Sequence, residues 1–361
     1  MADSLPVKKS RDGTADLLKG LAVLFMIQVH IMEQFGTTDL YGSFIGKLSL
    51  FLGGPPCAPV FLAVMGYFLA SSERPFRYFL KRGLMLFAGG IFLNVFRSAN
   101  LLLQIYFGKI EANPLFYVFG ADILTLAGLS LIIIGWLRIV FQYRPLLYFL
   151  MAIAMVLVGQ FLPAQTSPPE LYSYLTAFFI NSGEMSYFPL FPWFAYVLTG
   201  YSWRLLILKY DFVQKKNEMA QIILLIILWV FIIFTLPWAA SISHNLTGIG
   251  GYYHHHILFF AWTALFMTAY LGVIRYAETS YGGHLVMRAV KWTGKNVTLI
   301  YIIQWLIIGN LATELYHSQN IFQYFFWTVA VTLLTAALSL GYLKIRKLLY
   351  KPHPQRSGLH Q

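Results

Sequence analysis

Long apolar runs, each near the length of a membrane-crossing helix and each closed by a short polar or basic segment, recur along the whole chain. A helix rises about 1.5 Å per residue, so roughly 20 apolar residues cover the hydrocarbon layer of a bilayer. On that pattern we expect spans at about 17–35, 50–71, 78–96, 119–141, 145–162, 187–208, 219–238, 256–275, 296–315 and 321–343. Two of them are irregular: Gly53-Gly54-Pro55-Pro56 interrupts the second, and Pro189 and Pro192 interrupt the sixth. Prolines three apart free backbone carbonyls at membrane depth, which is tolerated only where protein or an aqueous cavity satisfies them. The expected fold is an all-α polytopic membrane protein of about ten transmembrane helices. It forms one integral-membrane domain over residues 1–350, followed by a polar tail at 351–361.

Basic residues test this topology independently. With the N-terminus placed in the cytoplasm, 23 of the 26 lysines and arginines fall on the inner side, and only Lys47, Arg97 and Lys109 fall outside. The positive-inside rule predicts such an asymmetry, with both termini cytoplasmic in an inner or plasma membrane. Lys8, Lys9 and Arg11 ahead of an apolar run imitate a secretory signal, but no small-x-small cleavage site follows His30. The run is therefore expected to stay as the first span.

Composition narrows the function classes. The chain is 58% hydrophobic and 11% charged, whereas soluble domains carry about 25% charged residues. Its net charge of +12 lies along one face of a membrane, so the partner it calls for is anionic lipid and not nucleic acid. A single cysteine, Cys57, excludes an intramolecular disulfide and a cysteine metal cluster. His254-His255-His256 invites a metal reading, but consecutive residues on a helix point in different directions and no second ligand pair lies at i+3 or i+4. No metal is expected.

The candidate chemistry starts in the first span. His30 follows Lys19 by eleven residues, about 16 Å along a helix. An ionisable side chain at that depth marks a functional site by default, and a neutral imidazole suits a general base. The bland reading is a histidine that hydrogen-bonds between helices. Lys19 sits one turn from Asp16; it can snorkel and pair with that carboxylate, or form part of a phosphate-binding mouth, or both. Arg77, Lys81 and Arg82 open the third span on the same side, where positive-inside topology alone would also put them. Further polar or aromatic candidates for a cavity are Gln28, Glu33, Asn94, Arg97, Asp122 and Trp193. Arg97 could face Glu33 or Glu184 across a cavity, with structural pairing the favoured bland reading, and Asp122 either orients a substrate or caps the fourth span.

The Lys19-to-His30 spacing resembles the Lys/Arg-x10-His signature of the acyltransferase-3 superfamily. Tyr187-Phe188-Pro189-Leu190-Phe191-Pro192-Trp193 through Tyr201 is similar to a block in bacterial relatives of the heparan-α-glucosaminide N-acetyltransferase catalytic domain. Four further blocks agree in order and spacing: Ala58–Tyr67, Gly89–Asn94, Phe119–Leu124 and Gly294–Tyr301. The resemblance runs from about Asp16 to Asn310. It implies a transmembrane acyltransferase-like bundle that uses acyl-CoA, most simply acetyl-CoA, as co-substrate. The donor's phosphates would lie at Lys19, Arg77, Lys81 and Arg82, with His30 as the base. The acceptor would be a hydroxyl or amine of an extracytoplasmic glycan or a related small molecule; direct transfer and an acyl-histidine route both fit.

Two departures limit what is carried over. The animal heparan enzymes have asparagine at the position of His30 and a histidine in the following loop, whereas no histidine lies between Met32 and Phe44 here. A heparan substrate is therefore not expected. Gln304 stands where many relatives have a histidine, and no catalytic role is assigned to it. The alternative class is a secondary transporter or lipid-linked glycan flippase, which also uses broken spans. The two breaks do not fall at corresponding positions of two halves, which speaks against it.

Overall fold

The computed structural model describes residues 12–162, 171–180, 185–210, 218–242 and 252–349. The polar tail and Glu184 lie outside them. All regular structure among the described residues is helical. In chain order the helices are α1 (Gly13–Phe35), α2 (Thr38–Gly42), α3 (Phe44–Gly53), α4 (Ala58–Ala70), α5 (Phe76–Arg97), α6 (Ala99–Tyr106), α7 (Pro114–Val118) and α8 (Ile123–Phe141). Then come α9 (Pro145–Phe161), α10 (Leu171–Thr176), α11 (Leu190–Lys209), α12 (Glu218–Ile242), α13 (Ile257–Tyr281), α14 (Leu285–Lys295), α15 (Val297–Leu315) and α16 (Ile321–Leu349).

Helices occupy all ten expected segments, and among the described residues eight spans are long and apolar enough to cross a membrane, which makes the chain an integral membrane protein. Of the other two, α9 has 17 residues; α11 has 20 but is buried along most of its length among its neighbours. The second expected span is a broken helix: α3 and α4 are separated at Gly54–Cys57, where Gly54 and Cys57 have non-helical backbone angles. The break in the sixth falls at Phe191, with φ −96° and ψ 121°. Its freed groups find backbone partners, since Leu190 and Phe191 donate to the carbonyls of Phe178 and Phe179, both at 2.9 Å.

Two helices act as hubs. α1 touches α3, α4, α13, α14, α15 and α16, while α11 lies against α4, α8 and α9. The crossings rely on small residues that let backbones approach. A side chain on Gly66 of α4 would meet the Val197 carbonyl of α11, and one on Gly200 of α11 would meet the Ala63 carbonyl of α4. Gly20 and Gly294 do the same for α1 and α14. The hub around α11 forms the larger apolar core, with Trp193, Tyr196, Tyr201 and Leu62 fully or almost fully enclosed. Around α1, α15 and α16 lies a second core that contains Ile27, Ile31, Phe35 and Ile308. By contrast α12 and α16 leave most of their apolar side chains uncovered, as lipid-facing helices do.

Lysines and arginines gather at one end of this bundle, with the start of α1, the end of α4 and the start of α5. At the opposite end, α1 is fastened to the turn before α16. Gln319 donates to the Phe35 carbonyl (2.8 Å), and Thr37 donates to the Gln319 carbonyl (3.0 Å). Cys57, buried at the break between α3 and α4, donates its thiol to the Ala22 carbonyl of α1 at 3.2 Å.

Candidate functional site

His30 lies in the last third of α1, five residues before its end, where α1 meets α15. Its Nδ1 is 3.4 Å from Oε1 and 3.3 Å from Nε2 of the Gln304 amide, and Gln304 is fully buried. Trp305, the next residue of α15, covers one face of the imidazole, with ring centroids 4.1 Å apart. His30 itself is half-buried, and its Nε2 makes no hydrogen bond among the described residues. A neutral ring held at one nitrogen and bare at the other is equipped to accept or deliver a proton at the bare one.

One turn further along α1 comes Glu33, also half-buried, whose carboxylate makes no hydrogen bond or ion pair among the described residues. Phenols surround it. Burial first, and then the charge of Glu33, push the hydroxyls of Tyr41 and Tyr253 above the ordinary tyrosine range. For Tyr252, burial is joined by Cys57, Tyr196 and Glu33 in the same direction. The Tyr252 hydroxyl is buried with no hydrogen-bond partner. Tyr253 meets the rings of Tyr187 and Phe188 edge-on, with centroids 5.5 and 5.2 Å away. An unpartnered carboxylate and an unpartnered phenol in a low-dielectric interior are costly. Both are polar groups left open to a further partner beside the aromatic rings of Tyr187, Phe188 and Tyr253.

Arg97 does not face Glu33. Its guanidinium lies 4.4 Å from the centre of the Trp305 ring and pairs with Asp122 (Nη1 to Oδ2 3.2 Å). Arg97 is thus paired structurally, with Asp122 in the place considered for Glu33. Asp122 is on α8, 25 residues away in the chain, and the helix pair α5–α8 brings it closer than the neighbouring turn of α1. Asp122 is the N-cap of α8 and accepts from the Leu124 amide at 2.8 Å. The Tyr301 hydroxyl of α15 reaches both its oxygens, at 2.9 and 2.8 Å. Its carboxylate is thus engaged by cation, phenol and helix end at once. Asn94, one turn before Arg97, donates to the carbonyls of Val118 and Gly120 (3.1 and 2.9 Å) and fixes the approach to α8; its own Oδ1 is buried and unpartnered.

Two other candidates are held by the fold itself. Gln28 donates to the Phe25 and Ser49 carbonyls and accepts from Ser49 (2.5 Å) and Tyr324 (2.8 Å), tying α1 to α3 and α16. Trp193 is fully buried, and its indole donates to the Tyr253 carbonyl at 2.7 Å. Its ring packs against those of Phe188, Tyr252 and Tyr253. The three histidines diverge: His255 bridges the Tyr252 carbonyl and the Tyr196 hydroxyl, and His256 meets Gln160. Neither ring nitrogen of His254 has a partner. Burial, the largest influence, holds His255 down at about 4, so it is neutral.

At the basic end, Lys19 pairs with Asp16 at 2.9 Å and lies 5.7 Å from the Phe68 ring. Arg77, Lys81 and Arg82 are exposed on the first turns of α5, and Arg82 donates to the Tyr78 hydroxyl at 2.6 Å. They do not touch Lys19. The more enclosed cation here is Arg204 of α11, held by Ser71 (2.6 Å) and Tyr67 (2.9 Å) of α4. Sequence reasoning noted Gln304 without giving it a role, and passed over Trp305 and Arg204 as site residues. An uncharged amide, an indole in an apolar run and one arginine among many at a span end carry no signal until their neighbours are known.

Fold and site together define an integral membrane protein with a polar centre buried between its helices, of the kind that does chemistry inside a membrane. Residues 11–235 match the family described as heparan-α-glucosaminide N-acetyltransferase, catalytic. That is more than half of the chain, and the protein belongs to this family of acetyl-CoA-dependent membrane acetyltransferases. No curated protein matches it. The matched stretch includes His30, Glu33, Arg97 and Asp122 but stops short of α15, which supplies Tyr301, Gln304 and Trp305.

Proposed function

We propose that this protein transfers an acetyl group from acetyl-CoA, or another short acyl-CoA, to a hydroxyl or amine of an extracytoplasmic glycan or related acceptor, with His30 as general base. The observation that carries this reading is His30 itself, with Nδ1 and one ring face occupied, Nε2 bare, and an unpaired carboxylate one turn away. The basic end would face the cytoplasm, following the lysine and arginine asymmetry. The donor would enter there, its phosphates drawn by Lys19 and the exposed Arg77, Lys81 and Arg82. The acceptor would come from the opposite end into the pocket of Tyr41, Tyr187, Phe188 and Tyr253. Its hydroxyls or amine would be met by Glu33, and its ring face by the aromatic side chains.

In the chemical step the acceptor's oxygen or nitrogen attacks the thioester carbonyl. The bond to sulfur breaks, and Nε2 takes the acceptor's proton and passes it to the departing thiolate. Calorimetry with acetyl-CoA on detergent-purified protein tests the arrangement, together with turnover in membranes. Arg82→Glu is expected to weaken donor binding about tenfold, the loss of one to two phosphate contacts. His30→Ala should keep donor binding and lose on the order of 100-fold or more in turnover. Absence of acetyl-CoA binding by folded wild type, or full turnover by His30→Ala, overturns the proposal.

A further inference from the structure

Three side chains on one face of α15, at i, i+3 and i+4, converge on the polar centre. Tyr301 holds Asp122, Gln304 meets His30, and Trp305 lies against both the His30 ring and the Arg97 guanidinium. Of these, Gln304 alone touches a ring nitrogen of His30, and it is fully enclosed. A buried amide in a membrane interior is retained at a cost unless its hydrogen bonds are made. The partner it has is Nδ1 of His30.

What sits opposite Nδ1 decides which nitrogen of a neutral imidazole carries the proton. If the amide presents its oxygen, Nδ1 holds the proton and Nε2 keeps the lone pair. If it presents its NH2, the proton moves to Nε2, and that nitrogen no longer accepts one. Both amide heavy atoms stand at nearly equal distance from Nδ1, so the choice is between two orientations of one side chain, and the chemistry selects one.

We infer that Gln304 is a positioning residue that turns its amide oxygen to His30 Nδ1 and so fixes the tautomer in which Nε2 is the base. The inference rests on the proposed function. Trp305 restrains the ring plane while Gln304 restrains the proton. Gln304 neither gains nor loses a proton in the reaction: the acceptor's proton goes to Nε2 and leaves on the coenzyme A thiol.

The test compares Gln304→Leu, Gln304→Glu and His30→Ala in purified, monodisperse protein, with kcat and the KM for acetyl-CoA measured for each. Gln304→Leu removes the acceptor atom and should lower kcat about 100-fold or more while KM for acetyl-CoA stays within about threefold, as expected when a base is left in the wrong tautomer. Gln304→Glu still offers an oxygen to Nδ1 and should recover to within about tenfold of wild type. A Gln304→Glu variant as slow as Gln304→Leu, both folded and binding donor, overturns the inference. So does wild-type kcat in Gln304→Leu when His30→Ala is inactive. If His30→Ala is also fully active, the failure belongs to the proposed function instead.

Discussion

At the scale of single residues, the polar centre joins side chains that bind one another, such as Asp122, Arg97 and Tyr301, with groups left without a partner among the described residues, such as His30 Nε2 and Glu33. Asp122 shows how tightly the rest is bound, because its carboxylate serves Arg97, Tyr301 and the first turn of α8. Asp122→Ala leaves the Arg97 charge without its partner and uncaps a helix. Breaking a buried ion pair from one side costs about 3–5 kcal/mol, and a lost N-cap about 1 kcal/mol. Asp122→Asn keeps a good cap and an acceptor for Tyr301, so it should lose less. Thermal unfolding in detergent should rank wild type above Asp122→Asn above Asp122→Ala; an Asp122→Ala protein as stable as wild type would show that the pair is not buried as described. This pairing was not readable in the sequence. Arg97 and Asp122 lie 25 residues apart at the ends of two different helices, and the sequence does not say which carboxylate the packed helices bring to the guanidinium. His30 and Lys19 were readable, because a charge or an imidazole inside an apolar run stands out. Gln304 was noted only as a departure from a histidine of the relatives, since nothing in an uncharged residue announces that it faces an imidazole.

At the scale of helices, small residues decide how close the hubs come. Gly200→Ala puts a methyl against the Ala63 carbonyl backbone, which cannot retreat without moving α4. Overpacking of this kind costs about 1–3 kcal/mol. Gly89 of α5 meets nothing within 4 Å, and Gly89→Ala should stabilise by up to about 1 kcal/mol through helix propensity. Melting curves of the two variants should move in opposite directions from wild type, and a neutral Gly200→Ala would argue against the close α4–α11 crossing. The long helices and both breaks were legible in the sequence because they depend on run length and on proline and glycine, which act locally. The short helices α6, α7 and α14 were not. They lie beside spans and depend on their contacts, with α14 pressed to α1 through Gly20 and Gly294 instead of standing out as an apolar run of its own.

At the scale of the whole molecule, charge separates the two ends while the polar centre sits between them on α1, α5, α8 and α15. On the proposed function, that layout would give a donor and an acceptor separate approaches to one histidine, so its handedness across the membrane would matter as much as its chemistry. Cys57 makes the handedness directly measurable. As the sole cysteine of the chain, buried and donating to the Ala22 carbonyl, it should be silent toward thiol reagents in the folded protein. Any cysteine added at the surface is therefore the sole reactive thiol. Lys47→Cys and Lys109→Cys, both at exposed positions, should be modified in intact cells by a membrane-impermeant maleimide. Arg288→Cys and Lys295→Cys, exposed at the basic end, should react only after the membrane is opened; the reverse pattern would invert the proposed orientation. The same quiet background suits paired spin labels or fluorophores on α1 and α15, with which the gap around His30 can be followed as substrates arrive, without first stripping the protein of native thiols.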